Sequence, residues 1–227
     1  EGKDLFVEND FVYMKTVKGK LKVDCIYRRL DDTFLDPKVF NKESLIGVPG
    51  LFKCWKKGNV GIINALGTGV ADDKAVYSYV NKMIVYYLGE QPKLNQVETF
   101  LCENKVHRQH VIENIAKLVV KPANASGGYG IMIGPKAPKK ERDEMVKKIK
   151  KNPRDFVAQP LEILSTIPTI CENGIEPRHL DLRPFILTGK TSYVTTGGLT
   201  RVALRKGSTI VNSSQGGGSK DTMVVDA

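Results

Sequence analysis

The chain has 227 residues, of which 41% are hydrophobic and 26% charged, an ordinary composition for one large globular domain or two small lobes. It contains no apolar run of about 18 residues, so the sequence predicts no membrane span. The net charge of +10 favours a polyanionic ligand, either a nucleotide or a nucleic acid. Four scattered cysteines lack C-x-x-C spacing and no secretion signal is visible, so we expect reduced thiols in a cytoplasmic protein.

The first part of the chain predicts strands followed by helices. Apolar runs on either side of turn signals predict two hairpins, with turns at 8–10 and 18–20. Gly58 and Gly89 follow segments with helical character and are expected to end two helices. The predicted elements are strands 5–7, 11–14, 23–27 and 60–64 and helices 51–57 and 72–87.

The second part predicts separated helices, short strands and a strand-rich tail. Strand clusters and isolated helices occur here without an internal repeat, which is typical of an α+β fold. The predicted elements are helix 106–117, a strand ending at 121, a helix within 136–154, strand 156–160 and tail strands 179–187, 192–196, 199–204 and 209–211.

A lysine at the end of an apolar strand is followed by a glycine-rich turn. Lys121 ends the run, and Ser126, Gly127, Gly128 and Gly130 lie in the turn. This layout places a positive charge beside backbone N–H groups that can approach phosphate oxygens closely, and it predicts a nucleoside triphosphate ligand. The alternative is a plain hairpin with a chance lysine, since glycine-rich turns are common. The turn is not a Walker A loop, because G-x-x-x-x-G-K-[ST] does not occur.

Charged and glycine-rich motifs follow in the tail. Asp181 and Arg183 are two residues apart in a predicted strand, so their side chains lie on one face. Arginine can clamp a phosphate or carboxylate with two hydrogen bonds, and Arg201 could do so from the neighbouring strand. Asn212 and the glycines after it offer amide and backbone donors to anionic oxygens. Each motif alone also has an ordinary interpretation, as a surface ion pair, a hairpin charge or a flexible tail.

The basic segment from Lys136 to Arg154 bears on nucleic-acid binding. Its charges alternate in sign at helical spacing, and Met145, Val146 and Ile149 form an apolar stripe. This pattern is typical of the solvated face of an amphipathic helix. No aromatic residues interleave with the basic ones, as a platform for stacking bases would require. The segment therefore argues against nucleic acid as the ligand.

The order of these motifs resembles that of the ATP-grasp ligases, and more closely that of the circularly permuted ATP-grasp proteins related to glutathionylspermidine synthase. The resemblance runs over essentially the whole chain. It implies an α+β, circularly permuted ATP-grasp fold of two lobes with the nucleotide bound between them. It is strongest at 27–37, 69–74, 121–130, 181–185, 197–201 and 211–222.

The resemblance implies a role for each matching residue. Lys74 and Lys121 correspond to two lysines that face the nucleotide phosphates. Arg183 and Arg201 correspond to arginines that hold the γ-phosphate and the acyl-phosphate intermediate, with Asp181 in the same catalytic set. The other implied ATP-binding residues are Ser126, Gly127, Gly128 and Gly130 in the lid, Gln159, Pro160 and Leu161 in the hinge, and Asn212, Gly216, Gly217 and Gly218 in an anion-binding turn.

The resemblance also implies ATP and Mg²⁺ as cofactors, but it leaves the metal ligands unassigned. Such enzymes typically hold magnesium with an acidic residue and an E-x-N pair, and no glutamate of this chain has asparagine two positions later. We therefore expect the chain to be the C-terminal portion of a longer protein, able to bind ATP without completing the metal site. A charged cluster at a strand end either binds the acceptor substrate or forms a local ion-pair network; its members are Arg28, Arg29, Asp31 and Asp32.

These features together predict three parts and a ligase reaction. Residues 1–116 form the N-terminal part, 117–163 the small lobe with lid and hinge, and 164–227 the part that binds phosphate and substrate. A substrate carboxylate attacks the γ-phosphate of ATP, and an amine then captures the acyl phosphate to form an amide or peptide bond. The substrates are small molecules or peptides that the sequence does not identify. A catalytically silent ATP-binding module is the alternative, and a basic nucleic-acid-binding protein is a third hypothesis that the motifs disfavour.

Overall fold

A computed structural model describes residues 2–124, 129–172, 174–212 and 216–225. The chain divides into two compact units, residues 1–95 and 96–227, and each has helices and more than one sheet. The predicted α+β class is confirmed. The division into 1–116, 117–163 and 164–227 stays a prediction about function. Among the described residues, no helix has the length and apolar character needed to cross a membrane.

Two small sheets form the strands of the first unit. Both predicted hairpins form, but the second turns at 17–18 rather than at the predicted 18–20. Asn9 and Asp10 take positive φ values of 50° and 63° in the first turn, as these residue types tolerate. The first three strands form an antiparallel sheet in chain order, and the other two pair in parallel. The strands are β1 (Leu5–Glu8), β2 (Phe11–Thr16), β3 (Gly19–Lys22), β4 (Cys25–Tyr27) and β5 (Gly61–Ile63).

The helices of the first unit are short. The single helix expected at 72–87 is wrong, because the segment is broken into a 3-10 turn, two helices of four residues and a π-helical turn, Ile84–Leu88. None of its residues is buried, so it has no apolar face whose packing would hold one long helix together. It does end at Gly89, as predicted, with φ 66°. The helices are α1 (Asp32–Leu35), α2 (Leu51–Lys56), α3 (Lys74–Tyr77) and α4 (Val80–Met83).

The core of the first unit encloses one fully buried carboxylate, that of Asp36. It accepts hydrogen bonds from the backbone N–H groups of Lys38 at 2.9 Å, Gly50 at 3.0 Å and Phe52 at 3.0 Å. The last two donors lie at the start of α2, where a helix has no internal acceptors for its N–H groups. Asp36 therefore caps α2 and joins it to the segment after α1. The apolar core around it consists of Val12, Leu35, Val48, Leu51, Cys54, Val60 and Ile62.

The first sheet of the second unit packs against two helices. Its spatial order is β6-β9-β7-β8, with antiparallel pairing throughout. Met145 and Ile149 are buried, which confirms the apolar stripe predicted for the basic helix. The preceding helix ends at Glu113 rather than at the predicted 117. The elements are β6 (Phe100–Leu101), α5 (Lys105–Glu113), β7 (Leu118–Pro122), β8 (Met132–Ile133), α6 (Lys139–Lys151) and β9 (Phe156–Pro160).

The tail of the chain forms a second, antiparallel sheet in chain order. Two predicted strands merge into one continuous strand through Gly197 and Gly198, and the strand expected at 209–211 does not form. The glycine-rich tail forms the last strand, which pairs with Gly197 to Ala203. The strands are β10 (Thr166–Cys171), β11 (Gly174–Thr188), β12 (Ser192–Ala203) and β13 (Gly217–Met223).

We expect Asp36→Asn to lower the free energy of unfolding of the first unit by about 2 kcal/mol. Asparagine carries an N–H₂ group in place of one buried carboxylate oxygen, and that donor would face backbone N–H groups, which are donors too. Trp55, the sole tryptophan, lies in α2 and makes urea denaturation measurable by fluorescence. Asp24→Asn is the matched control, since Asp24 is exposed and pairs only with Lys22 on the surface. It should cost no more than about 0.5 kcal/mol. Equal midpoints for the two variants would contradict the capping role.

Candidate functional site

A cavity of about 530 Å³ in the second unit is lined by residues of both its sheets and of the segments that follow them. Much of its wall is apolar, and cationic side chains reach it from three strands. The apolar lining residues are Val97, Val119, Ile131, Ile133, Leu161, Leu164, Ile210 and Val211. The polar lining residues are Lys121, Gln159, Glu162, Arg183, Arg201, Thr209 and Asn212. The cavity thus brings together seven of the residues that the sequence placed in the site, Lys121, Gln159, Pro160, Leu161, Arg183, Arg201 and Asn212. The predicted site residues Gly130, Asp181, Gly216, Gly217 and Gly218 are not among its lining residues.

Lys121 lies near the end of β7 and reaches the side chain of the neighbouring strand. Its Nζ donates to Oε1 of Gln159 at 2.6 Å, across the β7–β9 pairing. Gln159 is 9% exposed, and its Nε2 donates to Oγ1 of Thr99 at 2.8 Å. The side chain of the predicted hinge residue therefore orients the lysine. Pro160 and Leu161 line the cavity beside it.

Asp181, Arg183 and Arg201 share one face of the second sheet. Asp181 lies directly opposite Arg201 in the β11–β12 register, and Arg183 is two residues along β11. Arg201 makes a two-pronged ion pair with Asp181, with Nε donating to Oδ1 at 2.9 Å and a second contact to Oδ2. The nearest guanidinium nitrogen of Arg183 is 3.3 Å from the same carboxylate. The hydrogen bond from Arg201 is the main reason why the pKa of the Asp181 carboxyl is below its usual range.

The register of β11 against β12 changes directly after Arg183, between Pro184 and Ile186. Proline has no N–H to give to a ladder, and a β-bulge or similar irregularity at such a position can turn side chains toward a site. The register change lies beside the cationic face that lines the cavity.

Asn212 reaches the same cluster from the segment before β13. Its Oδ1 accepts from a terminal nitrogen of Arg201 at 3.3 Å, and its backbone oxygen accepts from the N–H of Gly217 at 3.0 Å. A Cβ at Gly217 would lie 2.2 Å from the carbonyl oxygen of Val211, so only glycine allows this approach. Gly216 has φ 83°, and Gly218, the second residue of β13, pairs with Val202. The glycines thus hold Asn212 against Arg201, and their predicted role in binding anions stays a prediction.

The predicted lid is only partly within the described residues. Ser126, Gly127 and Gly128 lie outside them. Gly130 has φ 71°, and a Cβ there would be 2.9 Å from Cγ of Pro122, so the end of the turn requires glycine. Its role above the phosphates stays a prediction.

The charged cluster of the first unit surrounds a separate cavity of about 480 Å³. Arg28 is 9% exposed and forms an ion pair with Asp32. Its guanidinium also donates to the backbone oxygens of Asn64 at 2.6 Å and Ala65 at 2.8 Å, while Asp32 accepts from the N–H of Gly67 at 2.9 Å. The pair therefore fixes the loop after β5, as one of the two alternatives for this cluster expects.

Arg29 and Asp31 differ from that pair because both are exposed. The Asp31 carboxylate caps α1 by accepting from the N–H of Thr33 at 2.9 Å, and hydrogen bonds from Thr33 hold the pKa of this carboxyl below its usual range. Arg29, Asp31 and Asp72 all line the cavity. The cavity thus presents an arginine and carboxylates to solvent, and its predicted use for substrate stays a prediction.

Lys74 lies in the first unit, where it is the first residue of α3. Asp73 before it caps this helix by accepting from the N–H of Ala75 at 2.7 Å. The helix start that the acids near Asp72 indicated is therefore present. The placement of Lys74 at nucleotide phosphates stays a prediction.

The resemblance implies a magnesium site, and its ligands stay unassigned. Across 2–124, 129–172, 174–212 and 216–225, no three histidine, cysteine or acidic side chains come together as metal ligands. In the second unit the carboxylate nearest to the cationic face, Asp181, is engaged by two arginines. Magnesium beside a nucleotide is held by one or two carboxylates together with phosphate oxygens and water, and a carboxylate held by two arginines does not fit that role.

The sequence did not reveal several residues that the structure adds to the site. Ile131 and Ile133 alternate after the glycine turn and line the cavity, a strand pattern that could have indicated them. Thr99 and Val97 precede a two-residue strand and carry no motif. Only the pairing of distant strands brings them beside Gln159.

The chain is similar to several curated proteins over nearly its whole length. A protein of Synechocystis sp. named as uncharacterized is 54% identical over 226 residues, which are 99% of this chain and 47% of that protein. A Mycobacterium tuberculosis protein with the same kind of name is 51% identical over 99% of this chain and 41% of its own length. A Frankia casuarinae protein named "Putative glutamate--cysteine ligase 2-2" is 44% identical over 99% of this chain and 26% of its own length. The chain spans less than half of each of these relatives.

A family model described as circularly permuted ATP-grasp type 2 matches residues 1–203. The matched range includes five residues that the sequence related to this family: Lys74, Lys121, Gly130, Arg183 and Arg201. Because it extends over most of the chain, the chain belongs to the circularly permuted ATP-grasp type 2 family.

Proposed function

We propose that the chain is the ATP-binding portion of an ATP-dependent ligase that joins a carboxylate to an amine through an acyl phosphate. Family membership supports ATP as the nucleotide, and the names of the Frankia relatives support a ligase. The observation that carries the proposal is the cavity of the second unit, which combines apolar walls with Lys121, Arg183 and Arg201.

The size and chemistry of this cavity suit a nucleotide. Its volume of about 530 Å³ is within the usual range for small-molecule sites. Apolar residues such as Val119, Ile133 and Leu161 can contact the flat faces of a base, and the cationic side chains can contact phosphate oxygens. Lys121 is held by the side chain of a strand neighbour, so it is ordered before ligand binds.

The two arginines suit the charge that develops during phosphoryl transfer. In the proposed first step, a carboxylate oxygen bonds to the γ-phosphorus as the bond to the β,γ-bridging oxygen breaks, giving an acyl phosphate and ADP. Arg183 and Arg201 would stabilise the equatorial phosphate oxygens, a role that needs position and charge but no covalent protein group. Asp181 orients both guanidinium groups, and the N–H groups of each that do not point at Asp181 can contact the ligand.

In the proposed second step, the amine nitrogen attacks the acyl carbon. The amide bond forms, inorganic phosphate leaves, and the nitrogen loses a proton. The carbonyl oxygen of the intermediate becomes negative, and Arg183 and Arg201 would stabilise that charge. We assign no residue as the base for the amine.

The cavity of the first unit is our candidate for substrate recognition. Arg29 offers a guanidinium for a carboxylate, while Asp31 and Asp72 offer carboxylates for an ammonium group. Arg28 and Asp32 shape this cavity from within, since they engage each other and the loop after β5. L-Glutamate and L-cysteine are the first probes, because the Frankia relatives are named for them.

A second candidate function is a catalytically silent ATP-binding module. The observation that favours it is the lack of a cluster of metal ligands within the described ranges. Such a module would bind ATP through Lys121 but would release no ADP with any carboxylate and amine. Measuring ADP release beside ATP binding separates the two functions.

We expect Lys121→Ala to weaken ATP binding by about tenfold or more, because it removes an ordered cation from the phosphate site. Isothermal titration calorimetry with ATP and magnesium measures this effect directly. Lys117→Ala is the control, since Lys117 is an exposed lysine just before the same strand. Wild-type chain that does not bind ATP, or an affinity that both alanine variants lower equally, would overturn the proposal.

We expect Asp181→Asn to remove an acid-sensitive part of the stability of the β11–β12 pair. The pKa of Asp181 is lowered in the folded state, so its pairing stabilises the protein above the unfolded pKa of about 3.9 and is lost as pH falls through the lower folded value. Amide hydrogen exchange of β11 and β12 should thus accelerate in the variant at pH 7, and the difference from wild type should shrink below about pH 4. Asp143→Asn, at an exposed carboxylate of α6, is the control, and a similar profile there would contradict the role of the pair.

We expect Arg28→Ala and Arg29→Ala to act on different properties. Loss of Arg28 strands a largely buried carboxylate and should lower the free energy of unfolding of the first unit by about 3 kcal/mol, measured by Trp55 fluorescence in urea. Loss of Arg29 should leave that stability within about 0.5 kcal/mol but raise the KM for the carboxylate substrate by about tenfold, with ATP affinity unchanged. An Arg29→Ala variant with the wild-type KM would exclude this cavity as the carboxylate site.

A further inference from the structure

Two hydrogen bonds connect Lys121 to Thr99, a residue that no motif identifies, and a third continues from Thr99 to Val97. Lys121 Nζ donates to Oε1 of Gln159 at 2.6 Å, and Nε2 of Gln159 donates to Oγ1 of Thr99 at 2.8 Å. The hydroxyl of Thr99 in turn donates to the backbone oxygen of Val97 at 3.0 Å. This series of hydrogen bonds runs from Val97, which lines the cavity, to Lys121, whose ammonium reaches into the cavity.

The direction of these bonds is fixed by the donors and acceptors available. A lysine ammonium can only donate, so the oxygen of the Gln159 amide must face it. The amide nitrogen then faces Thr99, whose hydroxyl must accept, and its proton is left for the carbonyl of Val97. Because its proton goes to Val97, Thr99 favours the orientation of the Gln159 amide that Lys121 requires. In the reversed orientation, an N–H₂ group would confront the ammonium.

The sheet makes this connection direct. Strand β9 lies between β6 and β7, so the side chain of Gln159 has a neighbour on either side. Gln159 is opposite Val119 of β7, and Lys121 is the diagonal neighbour on the same face. Phe100 pairs with Ala158, so Thr99 comes level with Gln159 on the other side.

We propose that Thr99 is a positioning residue that acts through Gln159 to hold the Lys121 ammonium where nucleotide phosphates bind. This inference rests on the proposed function of the cavity. Thr99 touches no phosphate itself. A buried amide that loses its donor contact can rotate, and the lysine that it orients then loses a defined position.

A positioning role predicts a selective effect on the ligand. Adenosine has the base and sugar of ATP but no phosphate, so its binding does not depend on where Lys121 lies. A change at Thr99 that only loosened the fold of the cavity would weaken adenosine and ATP alike. The ratio of the two affinities therefore distinguishes positioning from general structural damage.

The test is a titration of wild type, Thr99→Val and Thr99→Ser with ATP and with adenosine. Valine keeps the shape of threonine but has no hydroxyl, and serine keeps the hydroxyl. We expect Thr99→Val to weaken ATP binding by about tenfold and adenosine binding by less than about twofold, and Thr99→Ser to retain wild-type affinity for both. Equal losses for both ligands, no loss of ATP affinity in Thr99→Val, or no recovery in Thr99→Ser would overturn the inference.

Breaking this series of hydrogen bonds at Gln159 provides a second test that does not depend on how well Thr99→Val folds. Gln159→Met should produce the same selective loss of ATP affinity. The double variant, Thr99→Val with Gln159→Met, should lose no more affinity than either single variant, because substitutions within one hydrogen-bond network do not have additive effects. Additive losses would overturn the inference. A wild type that fails to bind ATP overturns the proposed function and this inference with it, whereas a wild type that binds ATP beside unaffected variants overturns this inference alone.

Discussion

Cations in a largely apolar cavity must be hydrogen-bonded or paired, and the geometry of the second unit follows from how this constraint is met. Lys121 donates to the neutral amide of Gln159, and this hydrogen bond orients its ammonium. Arg201 and Arg183 share one carboxylate, that of Asp181, so two guanidinium groups are oriented by a single negative charge.

That arrangement places strict demands on the backbone around it. Gln159 can serve Lys121 only because β9 lies between β6 and β7 and brings Thr99 to its other side. Arg201 can meet Asn212 only because Gly217 lets the chain pass within contact of Val211. The core beneath the sheet, built from α5 and α6, sets the position of the strands, while the functional side chains lie on the opposite side of the pleat or beyond the strand ends.

The sequence could predict much of this site, because the informative residues are local. Lys121 ends an apolar strand before a glycine turn, and Asp181 with Arg183 alternates on one strand face; both patterns fix a side chain relative to its own element. The resemblance to the permuted ATP-grasp family supplied the connection between these elements. The single helix expected at 72–87 was wrong because none of its residues is buried, and local start and stop signals do not reveal whether a face packs.

Thr99 could not be predicted, because its role depends on strand order, which periodicity does not encode. The same limit applies to Arg28 and Arg29, which are neighbours in a cluster that the sequence treats as one. The backbone oxygens after β5 accept hydrogen bonds from the guanidinium of Arg28 and hold it in the interior, whereas the guanidinium of Arg29 stays exposed. Sequence alone gives the charge of such a cluster, and the tertiary position of its acceptors decides which charge faces a ligand.

The charges around the cavity also indicate what the second unit leaves to other parts of the protein. Among the described residues at this cavity, three cations face two carboxylates, those of Asp181 and Glu162, so the excess of positive charge is small. A triphosphate carries more negative charge than that excess, and transfer of its terminal phosphoryl group requires the charge to be neutralised. Under the proposed function, further cations, from a metal ion or from protein outside this cavity, would therefore be needed for turnover. On that proposal, the second unit contributes ATP binding, and activity requires additional positive charge.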